Sequence, residues 1–184
     1  MLTDSEIVNA IHQMRAMFPE AGTTLKADTT FHFLLATILS AQSTDKSVNM
    51  VTPPLFARYP TPESLASAEP EDIEPFIQSL GLYHNKAKYL VKAAQGIVTN
   101  FNGEVPHTMK ELTSLAGVGR KVANVVLAEC FNIPAFPVDT HVSRVARRLG
   151  MVKPNATVLQ IEKRLKEAVP KDEWLEAHHA MIFF

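Results

Sequence analysis

Leu115-Ala-Gly-Val-Gly-Arg-Lys121 sets two glycines one residue apart, followed at once by an arginine and a lysine. The glycines close one amphipathic stretch, 108–114, and open another, 120–131. Such a turn can take positive φ and lets a foreign backbone come close. The amides of Gly117, Gly119 and the first turn of the next helix then point outward, at the positive end of the helix dipole, where a phosphate is held. Val118, Arg120 and Lys121 stand in the same turn. A grip of this kind holds the DNA backbone without reading base sequence. The pattern fits equally a plain αα-hairpin whose glycines only let two helices pack. Further on, Val138-Asp139-Thr140-His141 follows a proline-rich loop and leads into a helix bearing Arg144, Arg147 and Arg148. Asp139 or Thr140 suits the N-cap of that helix. About 18 positions after Lys121, the Asp139 carboxylate could also fold back toward the lysine, although spacing alone favours a simple cap.

The elements that must position these groups are all helical. Apolar residues recur with helical period from end to end, and no alternating run suggests a sheet. A first helix from about Asp4 puts Ile7, Ile11, Met14 and Phe18 on one face before Pro19. Phe31 to Leu39 reads as a buried helix, apolar nearly all round. Ser43 suits the N-cap of a helix from Thr44 that Pro53-Pro54 should interrupt. Short helices at about 62–68 and 70–79 precede a longer one from about His84 to Phe101. Segments 108–114, 120–131, 140–149, 156–168 and 172–184 complete an all-α fold with short connections. The last helix closes on Met181-Ile-Phe-Phe184 with no glycine cap, and the chain reads as stopping inside a larger lobe with these side chains exposed.

A composition of 46% hydrophobic and 20% charged residues is that of a globular protein and excludes disorder. The polar N-terminus and the absence of a long apolar run predict a soluble, cytoplasmic protein with no membrane partner. The net charge of −1 hides a polarised chain: residues 1–80 sum to −6 and residues 81–150 to +5. A polyanion should therefore dock on the middle segment. A single cysteine, Cys130, makes no internal disulfide and no four-thiolate metal site. Its place on an apolar helix face suits inert core. His178 and His179 are adjacent, so a helix turns them about 100° apart, a poor metal pair.

Taken together, Leu115–Leu127 and Pro137-Val-Asp-Thr-His141 resemble the hairpin, loop and aspartate of the helix-hairpin-helix DNA glycosylase superfamily. Three further blocks, Leu39–Asn49, Gly81–Ala87 and Asn102–Pro106, resemble its endonuclease III branch in order and spacing. The likeness covers nearly the whole chain. Ala116 departs from it, standing where the hairpin usually carries proline. The resemblance also implies a following segment with four cysteines that ligate a [4Fe–4S] cluster. Residues 1–184 contain no such segment, so no cofactor is expected within them and the cluster is expected of the full-length protein.

The resemblance implies a two-lobed fold: a helical barrel over 22–133, with the hairpin at 108–131, and a second lobe from 1–21 plus 134–184. It implies a monomeric base-excision enzyme, a bifunctional glycosylase and abasic-site lyase. Its partner would be double-stranded DNA carrying oxidised pyrimidines or abasic sites, and its active site would lie between the lobes. Lys121 matches the nucleophile, whose amine must be uncharged to attack; a helix N-terminus favours that form. Asp139 matches the proton acceptor that also steadies the cationic sugar. Gln42 and Leu82 match the polar and apolar fillers of the hole left by the extruded base, with His84 beside them. Their plainer readings are a turn residue, a core leucine and a cap. Arg144, Arg147, Arg148, Lys86 and Lys88 are candidate phosphate contacts. A binding-only hairpin module, or a glycosylase of the superfamily for other lesions, stays open. An adenine-specific member is disfavoured, because Phe33–Asp45 holds no glutamate and the hairpin lysine is present.

Overall fold

The computed structural model describes residues 1–184, and they form eleven α-helices joined by short turns, with no strand. Threonines start six of these helices. Thr3, Thr29, Thr44, Thr61, Thr108 and Thr157 each accept an amide of the first turn on the side-chain oxygen. Each such cap contributes about 1 kcal/mol and fixes where the helix begins. The chain divides into two compact units, Thr24–Phe131 and the combination of Met1–Thr23 with Asn132–Phe184.

Unit Thr24–Phe131 holds α2 (Thr30–Leu39), α3 (Asp45–Arg58), α4 (Pro62–Ala66), α5 (Pro70–Ile77), α6 (Tyr83–Asn100), α7 (Met109–Thr113) and α8 (Arg120–Phe131). Every residue of α2 from Phe31 to Leu39 is buried, and α3, α6 and α8 pack around it. Its aromatic and β-branched residues have middling helix propensity. Burial at roughly 1.5–3 kcal/mol per large apolar side chain therefore holds this helix. Long α6 buries Ala87, Leu90, Val91, Ala94 and Ile97 against α4, α5 and α2.

The proline pair does not interrupt α3. Pro53 and Pro54 lie inside the helix and are exposed, while Val48, Val51, Thr52 and Leu55 form its buried face. The carbonyls that lose amide partners lie at Asn49 and Met50, near solvent that can satisfy them. The buried stripe then carries the helix through the break. The cap of α3 also differs by one position: Thr44 accepts from the Ser47 amide at 3.1 Å, which leaves the Ser43 hydroxyl for another partner.

The second unit is built from α1 (Asp4–Met17), α9 (Thr140–Arg148), α10 (Val158–Ala168) and α11 (Trp174–Phe183). Ile7, Ile11 and Met14 of α1 pack with Phe136, Val142, Ile161, Leu165 and Ala177 in one core. Met181 belongs to that core and is fully buried, and Ile182 packs against it. Phe183 meets Phe18 at 6.3 Å between ring centroids. The closing Met-Ile-Phe-Phe run is thus exposed only at Phe183 and Phe184, because α11 turns Met181 inward against α1.

Candidate functional site

Three stretches of Thr24–Phe131 carry candidate residues: the hairpin, the Gln42 turn and the Leu82 turn. Leu112, Leu115 and Val118 are buried and anchor the turn between α7 and α8. Gly117 sits at φ +74°, and a Cβ there would stand 2.8 Å from Cβ of Tyr89 and 3.2 Å from Cγ2 of Ile38. Both the backbone conformation and the packing on α6 and α2 therefore demand glycine. Gly119 differs: its φ is not positive, and a Cβ there would meet nothing within 4 Å. Its carbonyl accepts the first helical bond of α8 from the Ala123 amide at 3.0 Å. The first amides of α8 lie within the turn that every helix leaves without intrahelical acceptors, and the open side of Gly119 leaves room for an anion beside them. Arg120 is exposed, and Lys121 is half-buried as the second residue of the helix. The Val118 side chain is buried, and its amide donates to the Leu115 carbonyl at 3.2 Å.

The other two stretches share a backbone feature. Gln42, between α2 and α3, has φ +55°, and Leu82, at the start of α6, has φ +61°. Left-handed backbone is uncommon for residues with a side chain, and for a bulky leucine it is an outlier of the kind that gathers at functional sites. Leu82 is no core residue: it is 55% exposed. Gln42 is exposed as well. His84 is exposed, and its Nδ1 bonds the Glu74 carboxylate at 2.7 Å, which ties the start of α6 to α5. Lys88 is exposed, whereas Lys86 is buried and is not a surface phosphate contact. Its ammonium donates to the Ser43 hydroxyl at 2.9 Å.

In the second unit, Asp139 caps α9, with Oδ1 accepting from the Val142 amide at 2.7 Å. Its place is fixed on both sides. Phe136 and Val138 are buried in the core, and Nδ1 of His178 donates to the Pro137 carbonyl at 2.9 Å. His178 is therefore a buried strut of the Asp139 loop, a role that side-chain type alone could not signal. Arg144 and Arg148 are exposed on α9, and Arg144 donates to Nδ1 of His141 at 2.7 Å. Arg147 is half-buried and donates to the Ala156 carbonyl at 2.8 Å, so it holds the following loop together and is not a surface contact.

Residues 35–171 match the family described as HhH-GPD superfamily base excision DNA repair protein. The chain belongs to this family. Endonuclease III of Bacillus subtilis (strain 168) is 44% identical over 184 residues, covering 100% of this chain and 84% of that protein. Endonuclease III of Synechocystis sp. is 46% identical over 162 residues, 88% of this chain and 74% of that protein. Among solved structures, a trapped endonuclease III–DNA covalent intermediate superposes with a TM-score of 0.97 at 46% identity, covering 100% of this chain and 86% of that one.

Within the HhH-GPD superfamily, the endonuclease III likeness implies a [4Fe–4S] cluster held by four thiolates. Residues 1–184 offer only Cys130, half-buried in α8, with burial and the neighbouring Glu129 pushing its thiol up to about 11. No group of three His, Cys, Asp or Glu side chains is placed to hold a metal ion. These residues do not fit the cluster. No helix is long and apolar enough to cross a membrane.

Proposed function

We propose that this chain excises oxidised pyrimidines from duplex DNA and then cuts the strand at the abasic sugar, with Lys121 as nucleophile. One observation carries the reading: a half-buried lysine in the first turn of α8, directly behind a glycine turn with open space beside Gly119. The amides hold a phosphate without regard to sequence, and the grip brings the sugar to the amine. Extruding the damaged base costs a few kcal/mol. Gln42 and Leu82, exposed on left-handed backbone, fill the hole that it leaves.

The Lys121 amine then attacks C1′ of the sugar. A C–N bond forms, the glycosidic bond breaks, and the base leaves with the electron pair. Asp139 accepts the proton that the amine sheds and steadies the positive charge on the sugar. Opening of the sugar ring gives a protonated Schiff base. Loss of a 2′ proton then expels the 3′ phosphate by β-elimination, which cuts the strand on the 3′ side. Hydrolysis of the imine frees the lysine.

Borohydride reduces a Schiff base to a stable amine, so it traps enzyme on DNA if the chemistry is right. Duplexes carrying one thymine glycol or one abasic site should yield a covalent adduct with this chain. Lys121→Ala should abolish both adduct and strand cleavage while duplex binding is largely retained, because backbone amides make the grip. A mutant that still cuts abasic DNA at the wild-type rate would assign the nucleophile to another amine. DNA binding with no adduct from the wild type would reduce the chain to a binding module.

A further inference from the structure

Lysines are almost never fully buried unless paired with a carboxylate. Lys86 is 3% exposed, and its ammonium meets a neutral hydroxyl, Ser43 Oγ at 2.9 Å. Burial holds its pKa below the usual lysine range. One hydroxyl replaces little of the water that an ammonium loses. A methionine would fill the same space on the buried face of α6 without that cost. The charge therefore does not serve packing.

What the side chain does supply is a link between two turns. The backbone amide of Lys86 closes the first bond of α6 on the Leu82 carbonyl at 3.0 Å. Its ammonium holds Ser43, the residue after Gln42. One residue thus grips both left-handed positions, Leu82 through the main chain and Gln42 through its neighbour. The Ser43 hydroxyl is available because Thr44, and not Ser43, caps α3. We infer that Lys86 is a positioning residue that locks the Gln42 turn to the Leu82 turn, so that polar filler and apolar wedge enter the duplex as one unit. The inference rests on the reading of Gln42 and Leu82 as hole fillers given above.

The test uses the full chain with Lys86→Met, Ser43→Ala, Ser43→Thr and the Lys86→Met/Ser43→Ala pair, beside Leu82→Ala. Single-turnover excision of thymine glycol opposite adenine reports the step that needs extrusion. A 2-aminopurine next to the lesion reports unstacking directly. Misplacement by about 1 Å can slow an enzyme on the order of 10²-fold, so turns loosened but not lost should slow excision about tenfold. Lys86→Met and Ser43→Ala should share this defect, with a matching delay in the 2-aminopurine signal. Ser43→Thr, which keeps the hydroxyl, should restore the rate. The double variant should be no slower than either single one, since both cut the same link. Cleavage at a preformed abasic site, where unstacking costs least, should change less than about twofold. Lys86→Met should melt no lower than wild type, because it removes a buried charge.

Equal slowing of excision and of abasic cleavage, with a fall in melting temperature, would make Lys86 a structural strut only and overturn the inference. So would slowing by the two single changes that multiplies in the pair. If Leu82→Ala slows excision while Lys86→Met and Ser43→Ala do not, hole filling stands and the lock falls. If Leu82→Ala itself leaves extrusion untouched, hole filling falls and the lock with it.

Discussion

On the proposed reading Asp139 gives one carboxylate two tasks, and its geometry lets them be separated. Oδ1 accepts from the Val142 amide at 2.7 Å, which is the cap of α9. Proton transfer needs a carboxylate with room for a proton. Asparagine caps a helix as well as aspartate does but cannot take the proton. Asp139→Asn should therefore keep its melting temperature while single-turnover excision falls by roughly 10²–10⁴, the usual worth of general acid–base catalysis. Asp139→Ala should lose the same activity and also about 1 kcal/mol of stability with the cap. Thermal melts run beside excision rates check both. A collapse of the Asp139→Asn melt with full activity per folded molecule would leave Asp139 as a cap alone. The cap itself was legible, since an aspartate before an apolar helical stripe after a proline-rich loop is a recognisable start. The His178 strut beneath it was not, because its partner is a carbonyl 41 positions away.

The hairpin separates two kinds of glycine that the spacing alone treats alike. At Gly117 a methyl group would meet Tyr89 and Ile38, and the backbone is left-handed. Left-handed backbone costs an alanine roughly 1–2 kcal/mol, and overpacking adds about 1–3. Gly117→Ala should thus destabilise the chain by about 2–5 kcal/mol and lower its melting temperature by several degrees. Gly119→Ala meets open space on an ordinary backbone, so stability should move by no more than about 0.5 kcal/mol. Its methyl group would nevertheless stand where a phosphate approaches, and duplex affinity should drop. Calorimetry and a binding titration on the two variants check this. Equal loss of stability at both glycines would mean that the turn is packed on both sides. Helix positions were legible wherever an apolar stripe carried them, as in α1, α2 and α6. The run through Pro53-Pro54 was not, because only the fold shows that both rings face solvent while the opposite face of α3 stays buried. The cap of α3 falls on Thr44, one position after the Ser43 that the sequence suggests, since adjacent hydroxyls give the same signal until backbone angles choose between them.

For the molecule as a whole, the sign of charge by segment says more than the total. Residues 81–150 sum to +5 within a chain of net charge −1, and an anionic duplex is drawn to that segment. The structure then sorts its cations by what they hold. Lys86 is buried on Ser43 and Arg147 is committed to the Ala156 carbonyl, whereas Arg148 is exposed on α9. A cation that neutralises a phosphate releases counterions, and its loss lowers the slope of log affinity against log salt by about one. Arg148→Ala should accordingly weaken binding to every duplex alike, damaged or not, and flatten that slope by about one, with little change in melting temperature. Arg147→Ala should do the reverse: it removes the bond to Ala156 and the stem packed beneath it, so stability falls by about 1 kcal/mol while the salt slope stays. Titrating labelled duplex from about 50 to 200 mM salt reads both slopes in the range where they are steep. A slope that drops for Arg147→Ala and holds for Arg148→Ala would exchange the two roles, and would mean that the Ala156 contact opens when DNA arrives.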